Sequence, residues 1–455
     1  MQQAPLCSHN PATFMLRVRQ FSKLSARLRS AHPQHIRAQA ERSQSSAAAL
    51  ATHEQPTAVP TFVPRGPGVT DGIWDQQDEA AVGTALRDAE KVVKKRSSAQ
   101  PGNVLLGQSI AELGQLAQDT GQSAYRGKQL YDGLLHGVRQ IDQFNQVPKK
   151  WRDELQARHI STGRSKLHHS VTAADGTRKF LLQLQDGLIV EAVGIPADDF
   201  GKPRLTACVS SQVGCPMRCS FCATGKGGFA RNLKAHEIMD QVMTVQEEFG
   251  SRVSNVVFMG MGEPLLNLPS VLRAHTMLNE CLGIGQRHMT ISTVGVPNAI
   301  MKLASHKLQS TLAISIHAPD QQLREQLVPS AKVYPLEALM MDCQEYFRVT
   351  GRRVTFEYTV LSGVNDSPML AEQLANLLKR FDLRTHVNLI PWNPVDESSF
   401  KRPDKAHVRA FAAVLEEHRV PVSIRVSRGM EAAAACGQLR NQHQRLPLQD
   451  FAALT

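Results

Sequence analysis

The chain has 455 residues, 42% of them hydrophobic and 20% charged, enough for two or three domains with a substantial core and too long for a lone binding module. No apolar run reaches the 18 or so residues of a membrane span, so no membrane partner is expected. Lys+Arg outnumber Asp+Glu by 52 to 41, a basic balance that suits a polyanion such as nucleic acid, provided it can be localised along the chain.

Residues 1–53 carry seven basic residues (Arg17, Arg19, Lys23, Arg27, Arg29, Arg37, Arg42) and one acid, Glu41, among many serines and alanines. An acid-poor Arg/Ser/Ala leader of this kind is the signature of an organelle transit peptide; the competing reading is a basic tail that stays attached. Removing it leaves 45 cations against 40 acids, so the mature chain is expected to be only mildly basic. Residues 54–100 are Pro- and Gly-rich, then highly charged, and read as a flexible linker.

A small helical domain is expected over 101–163. Ser109 and Glu112 form a capping box, with Ile110, Leu113, Leu116 and Ala117 on one helix face. A second helix fits Tyr125 to His136, and Pro148 opens a third. Arg126, Lys128, Lys149, Lys150 and Arg152, with Trp151 beside them, could meet RNA phosphates, although such charge is more often a solvated face. Residues 164–203 read as a β-hairpin extension turning at Asp186-Gly187. Glu191 interrupts its second strand, and periodicity alone makes it the solvent-facing residue of an alternation.

From 204 to 440 short β-rich runs alternate with helices: TACVS, NVVFMG, MTIST, TLAISIH, VTFEYTVL, HVNLIP and VSIRVS, each but the last followed by a helical stretch. Strict alternation means parallel βαβ units, here an α/β partial (open) TIM-type barrel of about six βα units, too few for closure. Residues 441–455 read as a C-terminal tail.

Four of the eight cysteines fall close together (Cys208, Cys215, Cys219, Cys222), which points to a metal or redox site in a reducing compartment. Cys215-Pro-Met-Arg-Cys219-Ser-Phe-Cys222 follows the first barrel strand. Three closely spaced thiolates suit a 4Fe–4S cluster with one iron left open for a ligand. On spacing alone, a zinc knuckle with Cys208 as fourth ligand competes. The second strand ends in Gly260-Met261-Gly262-Glu263-Pro264, where glycines permit close backbone approach and a carboxylate can accept from an amine.

C-x3-C-x2-C after strand one and G-E-P after strand two resemble the radical S-adenosylmethionine (SAM) superfamily. ACVSSQVGCPMRCSFCATGKGGFARNL, FMGMGEPLLN, ISTVGVP, SIHAP, NLIPWNP and RGMEAAAACGQL, in that order, narrow the likeness: from about 101 to 440 the chain resembles the RlmN-type ribosomal RNA (adenine-2-)-methyltransferase family. The resemblance implies a 4Fe–4S cluster on Cys215, Cys219 and Cys222, and SAM bound by Gly262, Glu263, Ser292, Ser315, Ile316, His317 and Asn393. It implies that Cys436 carries a methyl group from one SAM while a second SAM supplies the radical, two per turnover. Cys208 then resolves the enzyme–RNA adduct through a transient disulfide with Cys436, and Glu191 is the base. Such a carrier meets a chemical need, because carbon 2 of adenine cannot itself attack a methylsulfonium.

The implied partners are large-subunit rRNA, tRNA as a possible second substrate, and an electron donor such as flavodoxin or ferredoxin; a monomer is expected. Arg231 and Lys234, beside the cluster, join the helical-domain basics as RNA candidates. Bacterial-style barrel motifs under a Ser/Ala-rich leader make a plastid the first choice of compartment and a mitochondrion the second, with the cytoplasm if the leader is not a transit peptide. Methylation at carbon 8, or a non-catalytic metal-stabilised RNA-binding protein, are the alternatives. Cys281 and Cys343 read as core. ADDFGKPRLTA, between Glu191 and Cys208, is longer than the compact bacterial connector and puts the reach of Glu191 in question.

Overall fold

A computed structural model describes residues 104–199, 201–396 and 398–440. The leader, linker and tail expected at 1–53, 54–100 and 441–455 lie outside the described residues.

Three helices come first: α1 (Ile110–Asp119), α2 (Tyr125–Leu135) and α3 (Lys149–Ala157). The capping box at Ser109 forms, with Glu112 N–H donating to Ser109 Oγ at 3.2 Å and Ser109 N–H donating to the Glu112 carboxylate at 2.7 Å. Helices α1 and α2 touch backbone to backbone, since a Cβ on Gly127 would lie 2.2 Å from the Gly114 nitrogen.

Two sequence expectations fail here. Ile110 is 45% exposed instead of joining Leu113 and Ala117 in the core. Trp151 is buried and donates its Nε1–H to Thr120 Oγ1 at 2.8 Å. An indole gains more from burial than from standing among lysines, so Trp151 is unavailable for stacking on a base.

An antiparallel run follows: β1 (Lys166–Thr172), β2 (Arg178–Gln183), β3 (Ile189–Asp199) and β4 (Lys202–Cys208). Strand β1 was invisible to periodicity because KLHHSVT, at the sheet edge, has no buried face. The long connector becomes the tip of the β3–β4 hairpin, with Asp199 opposite Lys202 and Val193 opposite Cys208. Its extra residues therefore lie at the end of the ladder away from Glu191.

Beyond β4 a short ribbon pairs β5 (Gln212–Gly214) with β6 (Phe229–Asn232) around a one-turn helix, α4 (Ala223–Lys226). The parallel sheet then adds, beside β4 and in spatial order, β7 (Asn255–Phe258), β8 (Met289–Thr293), β9 (Thr311–Ser315), β10 (Val354–Val360), β11 (Thr385–Pro391) and β12 (Val422–Ile424). The crossovers are α5 (Ala235–Phe249), α6 (Leu268–Glu280), α7 (Ala299–Ser305), α8 (Gln321–Leu327) with α9 (Leu336–Thr350), α10 (Pro368–Arg380) and α11 (Lys405–Glu417). The ten-stranded sheet runs from β1 to β12 without closing, which is the expected partial barrel. Its core sits between the sheet and these helices, with Phe356, Tyr358, Leu389 and Phe411 all fully buried. A buried pair, Arg164 with Asp240, and Arg164 with Glu247 at 2.8 Å, ties the chain just after α3 to α5. Among the described residues no helix is long and apolar enough to cross a membrane.

Candidate active site

Side chains from the C-terminal ends of the parallel strands converge on one pocket, where barrel folds place their chemistry. Cys215, Cys219, Cys222, Gly262, Glu263, Ser292, Ser315, His317, Asn393 and Cys436 all line this space of about 130 Å³. A larger cavity of about 460 Å³, between α1, α2 and α6, holds none of them. Ile316, expected among them, does not line the pocket: its side chain is fully buried and its N–H donates to the Glu357 carbonyl.

The cysteine loop is held from three sides. Cys215 N–H donates to the Gly228 carbonyl at 2.9 Å, Ser220 N–H to that of Leu327 at 3.0 Å, and Ala223 N–H to that of Gly437 at 2.8 Å. Burial raises the Cys215 and Cys219 thiols, and each feels Cys222. Among the described residues no three ligand side chains converge on a single-ion site. A cuboidal cluster makes no such demand, since each thiolate binds its own iron. The donor set of three neighbouring thiols open to one pocket fits a 4Fe–4S cluster. Cys208 lies apart from this trio, at the end of β4, and its cysteine neighbour is Cys436. The zinc knuckle with Cys208 as fourth ligand therefore loses its fourth ligand.

Opposite the thiols the G-E-P turn is shaped by its glycines. Gly262 has φ +102°, and a Cβ there would lie 2.5 Å from Gln212 Cβ. Gln212 in turn accepts from the Glu263 N–H at 2.8 Å. The Glu263 carboxylate is buried and accepts from the N–H groups of Leu265 and Val294, both at 2.9 Å. Burial nevertheless pushes its pKa up to about 7. His317 Nδ1 accepts from the Thr359 N–H at 3.0 Å, which puts the ring proton on Nε2. Burial, then the nearby Arg324, lowers its pKa to about 3, so the ring is neutral and offers one donor. Asn393 donates to the Cys436 carbonyl at 3.0 Å while Ser427 and Arg402 hold its Oδ1 at 2.7 and 2.8 Å.

Cys436 reaches the site on the loop after β12, pinned where Thr224 Oγ1 donates to the Leu439 carbonyl at 2.6 Å. Its sulfur meets the solvent of the pocket. The enclosing walls, then Cys222 and Glu357, raise the thiol to about 11, while Arg425 pulls the other way. Cys208 is raised to about 12, by burial first and Cys436 second. In the structure both thiols are free.

Glu191 is 1% exposed, so the solvent-facing reading of β3 is wrong at this residue. Its carboxylate sits 3.8 Å from Lys179 Nζ, and Lys179 also donates to the Ala433 carbonyl at 3.2 Å, beneath the loop that carries Cys436. Burial outweighs Lys179 and the Arg440 N–H and lifts the Glu191 pKa to about 7.

Glu357 on β10 escaped the sequence reading. It lies in the pocket, 3% exposed, with Asn388 Nδ2 at 2.8 Å and Arg425 at 3.6 Å on Oε1, and no partner for Oε2. The available signal was a lone acid in a strand whose seven residues are all buried. Arg231, conversely, is no RNA candidate, since Glu237 at 2.8 Å and Asp186 at 2.6 Å neutralise it; Lys234 stays exposed.

Residues 209–374 match the family model described as the radical SAM superfamily. The chain is 58% identical over 337 residues to a probable dual-specificity RNA methyltransferase RlmN of Synechocystis, covering 74% of this chain and 94% of that one. It is 58% identical over 338 residues to the protein of the same name from Thermosynechococcus vestitus, covering 74% and 98%. A radical SAM methyltransferase of Sphaerobacter thermophilus superposes with a TM-score of 0.69 at 39% identity, covering 74% of this chain and 98% of that one. With likeness of this depth over a pocket lined by three loop thiols and by Cys436, the chain belongs to the RlmN family of radical SAM RNA methyltransferases.

Proposed function

We propose that this enzyme adds a one-carbon unit to carbon 2 of an adenosine in large-subunit rRNA, with Cys436 as the carrier and tRNA as a second substrate. The observation that carries the reading is the place of Cys436, which lines one pocket with Cys215, Cys219 and Cys222 and also feels the Cys208 thiol. A cluster on Cys215, Cys219 and Cys222, with SAM beside it, would supply the methyl group and the one-electron chemistry, two SAM per turnover.

The residues divide the remaining work. Gly262, Glu263, Ser292, Ser315, Ile316, His317 and Asn393 hold SAM, the buried Glu263 accepting from its amine and the neutral His317 donating. Cys436 accepts a methyl group through its thiolate, and Arg425 is the cation that favours this form. Glu191, raised to about 7, suits a base that takes the ring proton near neutral pH. Cys208 then attacks the Cys436 sulfur; the sulfur–carbon bond to the product breaks, its electron pair stays on the carbon, which takes up a proton, and a thiol reductant reopens the disulfide, consistent with two thiols that feel each other. The cyanobacterial relatives and the acid-poor leader support a plastid as the place of work.

The test is anaerobic reconstitution of the full chain with iron, sulfide, SAM and reductant, then mass spectrometry of protein-free large-subunit rRNA and of tRNA. The expected product is 2-methyladenosine in both. Formation of 8-methyladenosine alone would sink the carbon-2 assignment, and zinc uptake without iron or SAM cleavage would sink the catalytic reading.

A further inference from the structure

The end of the barrel opposite the pocket carries a charge pattern that the reaction leaves unexplained. Six loops lead from a helix into a parallel strand there, and together they hold seven cations: Arg252, Arg287, Lys307, the pair Arg352 and Arg353, Arg384 and Arg419. The same loops contain one acid, Asp382. Among the described residues none of the seven is in an ion pair, and all are exposed except the half-buried Arg352.

The loops form one continuous rim. Arg252 donates to the Gly283 carbonyl at 2.6 Å, Gln309 N–H to Gln286 Oε1 at 2.9 Å, and Arg352 to the Ser310 carbonyl at 3.0 Å. Arg353, Arg384 and Arg419 then face one open cleft, where Lys379 joins them against two acids, Asp382 and Glu417.

Cations after a helix have a local use, because each helix C-terminus carries about half a negative charge. Six such ends offset roughly three positive charges, and the rim, with a net six, keeps about three in excess. A second observation separates display from capping. Three of the loops turn through glycine at positive φ: Gly250, Gly283 and Gly351. The other three place Lys307 (φ 48°), Asp382 (φ 47°) and Arg419 (φ 59°) there. L residues avoid this conformation, and glycine would close the helix with less strain. Two of the three strained positions present a cation to solvent.

We infer that this rim is a second RNA-binding surface, gripping the phosphate backbone of a segment distant from the target adenosine in the same large RNA. Six of the seven cations are arginines, whose planar forks match phosphate oxygens. Strand β10, seven residues long, separates rim from pocket by roughly 20 Å. A folded rRNA domain spans both ends; a short stem-loop seated in the pocket does not. The inference deepens the reading of the chain as an rRNA methyltransferase and rests on it for the choice of RNA.

The test compares wild type, Lys307→Gly/Arg419→Gly and Arg353→Gln/Arg384→Gln. Binding is measured without SAM, between 50 and 300 mM salt, to protein-free large-subunit rRNA and to a stem-loop of about 20 nucleotides bearing the target adenosine. Each removed cation should lower the slope of log affinity against log salt by about 0.7 to 0.9, so about 1.5 for either pair. Affinity for the long RNA should fall about tenfold at 50 mM salt, while stem-loop binding and methylation stay at wild-type levels and neither pair lowers the melting temperature. An unchanged slope on the long RNA would overturn the inference, leaving an acidic protein or anionic membrane as the rim's partner. An equal loss on the stem-loop would overturn it too, by placing these cations against the target itself. Failure of the wild type to methylate either RNA is a separate result that counts against the proposed function, because the binding slopes are read without SAM or turnover.

Discussion

The two ends of the barrel treat charge in opposite ways. On the pocket side three carboxylates, Glu191, Glu263 and Glu357, are at most 3% exposed, and burial raises the pKa of each. At the strand N-termini seven cations stand in or near water and make no ion pair among the described residues. A buried ionisable group has a shifted pKa, and so can hold or release a proton near neutrality; an exposed one keeps its charge and can only attract. Reaction and long-range attraction are therefore separable by substitution.

The largest effect is expected at the buried end. Cys436→Ser replaces a thiol with a hydroxyl that is a far weaker nucleophile and cannot form a disulfide. Methylation should fall at least about a thousandfold. Iron content and long-RNA affinity should stay as in wild type, measured by metal analysis and filter binding. Residual methylation within tenfold of wild type would remove Cys436 as carrier.

Glu191→Gln comes next, with an expected loss of about a hundredfold in product release. Two pH dependences of opposite sign belong to this carboxyl. As a base it must be ionised, so the wild-type rate should climb through about pH 7 and level off above it. As a buried acid its folded pKa, about 7, exceeds the ordinary value of 4.5, so the folded state holds the proton more tightly. Stability from this group is thus fully present below pH 4.5 and lost as pH rises through 7, by about 3 kcal/mol at most. Glu263 adds a slope of the same sign. The Gln variant should lose the rate limb and flatten, without abolishing, the fall in stability between pH 5 and 8, read by denaturant titration of the cluster-free protein.

Legibility in the sequence followed the same division. The barrel was readable because each parallel strand is a short apolar run between helices, and Gly262 because a G-x-G-E-P turn after a strand has few other uses. Strand β1 and the burial of Glu191 were not. The first lacks a buried face, and the second depends on Lys179 and on a loop more than 200 residues away, contacts that no local period encodes. The rim was the least legible part. Its cations are scattered over 168 positions, from 252 to 419, and become one surface only when the parallel topology brings six loops to the same end.

Glycine marks the contrast at smaller scale. Gly262→Ala would put a methyl 2.5 Å from Gln212 Cβ at φ +102°. The collision displaces the side chain that holds the Glu263 N–H, so a cost of about 2 to 3 kcal/mol is expected together with weaker SAM binding. Calorimetric SAM titration and denaturant melts check both.

The smallest effect has the opposite sign. At Arg419 the backbone already adopts φ 59°, so Arg419→Gly removes the steric conflict of a side chain in the left-handed region. Glycine's greater freedom in the unfolded chain returns part of that gain, and the loss of a cation near the end of α11 returns a few tenths more. A net stabilisation of about 0.5 kcal/mol is expected from Arg419→Gly, with a similar value for Lys307→Gly, and the two should add because they lie in different loops. If stability rises while the salt slope on long RNA falls, the side chains at these turns serve binding against the interest of the fold. If Arg419→Gly lowers stability instead, the arginine is a helix-end cap, and the contrast between the two ends of the barrel narrows to the six remaining cations.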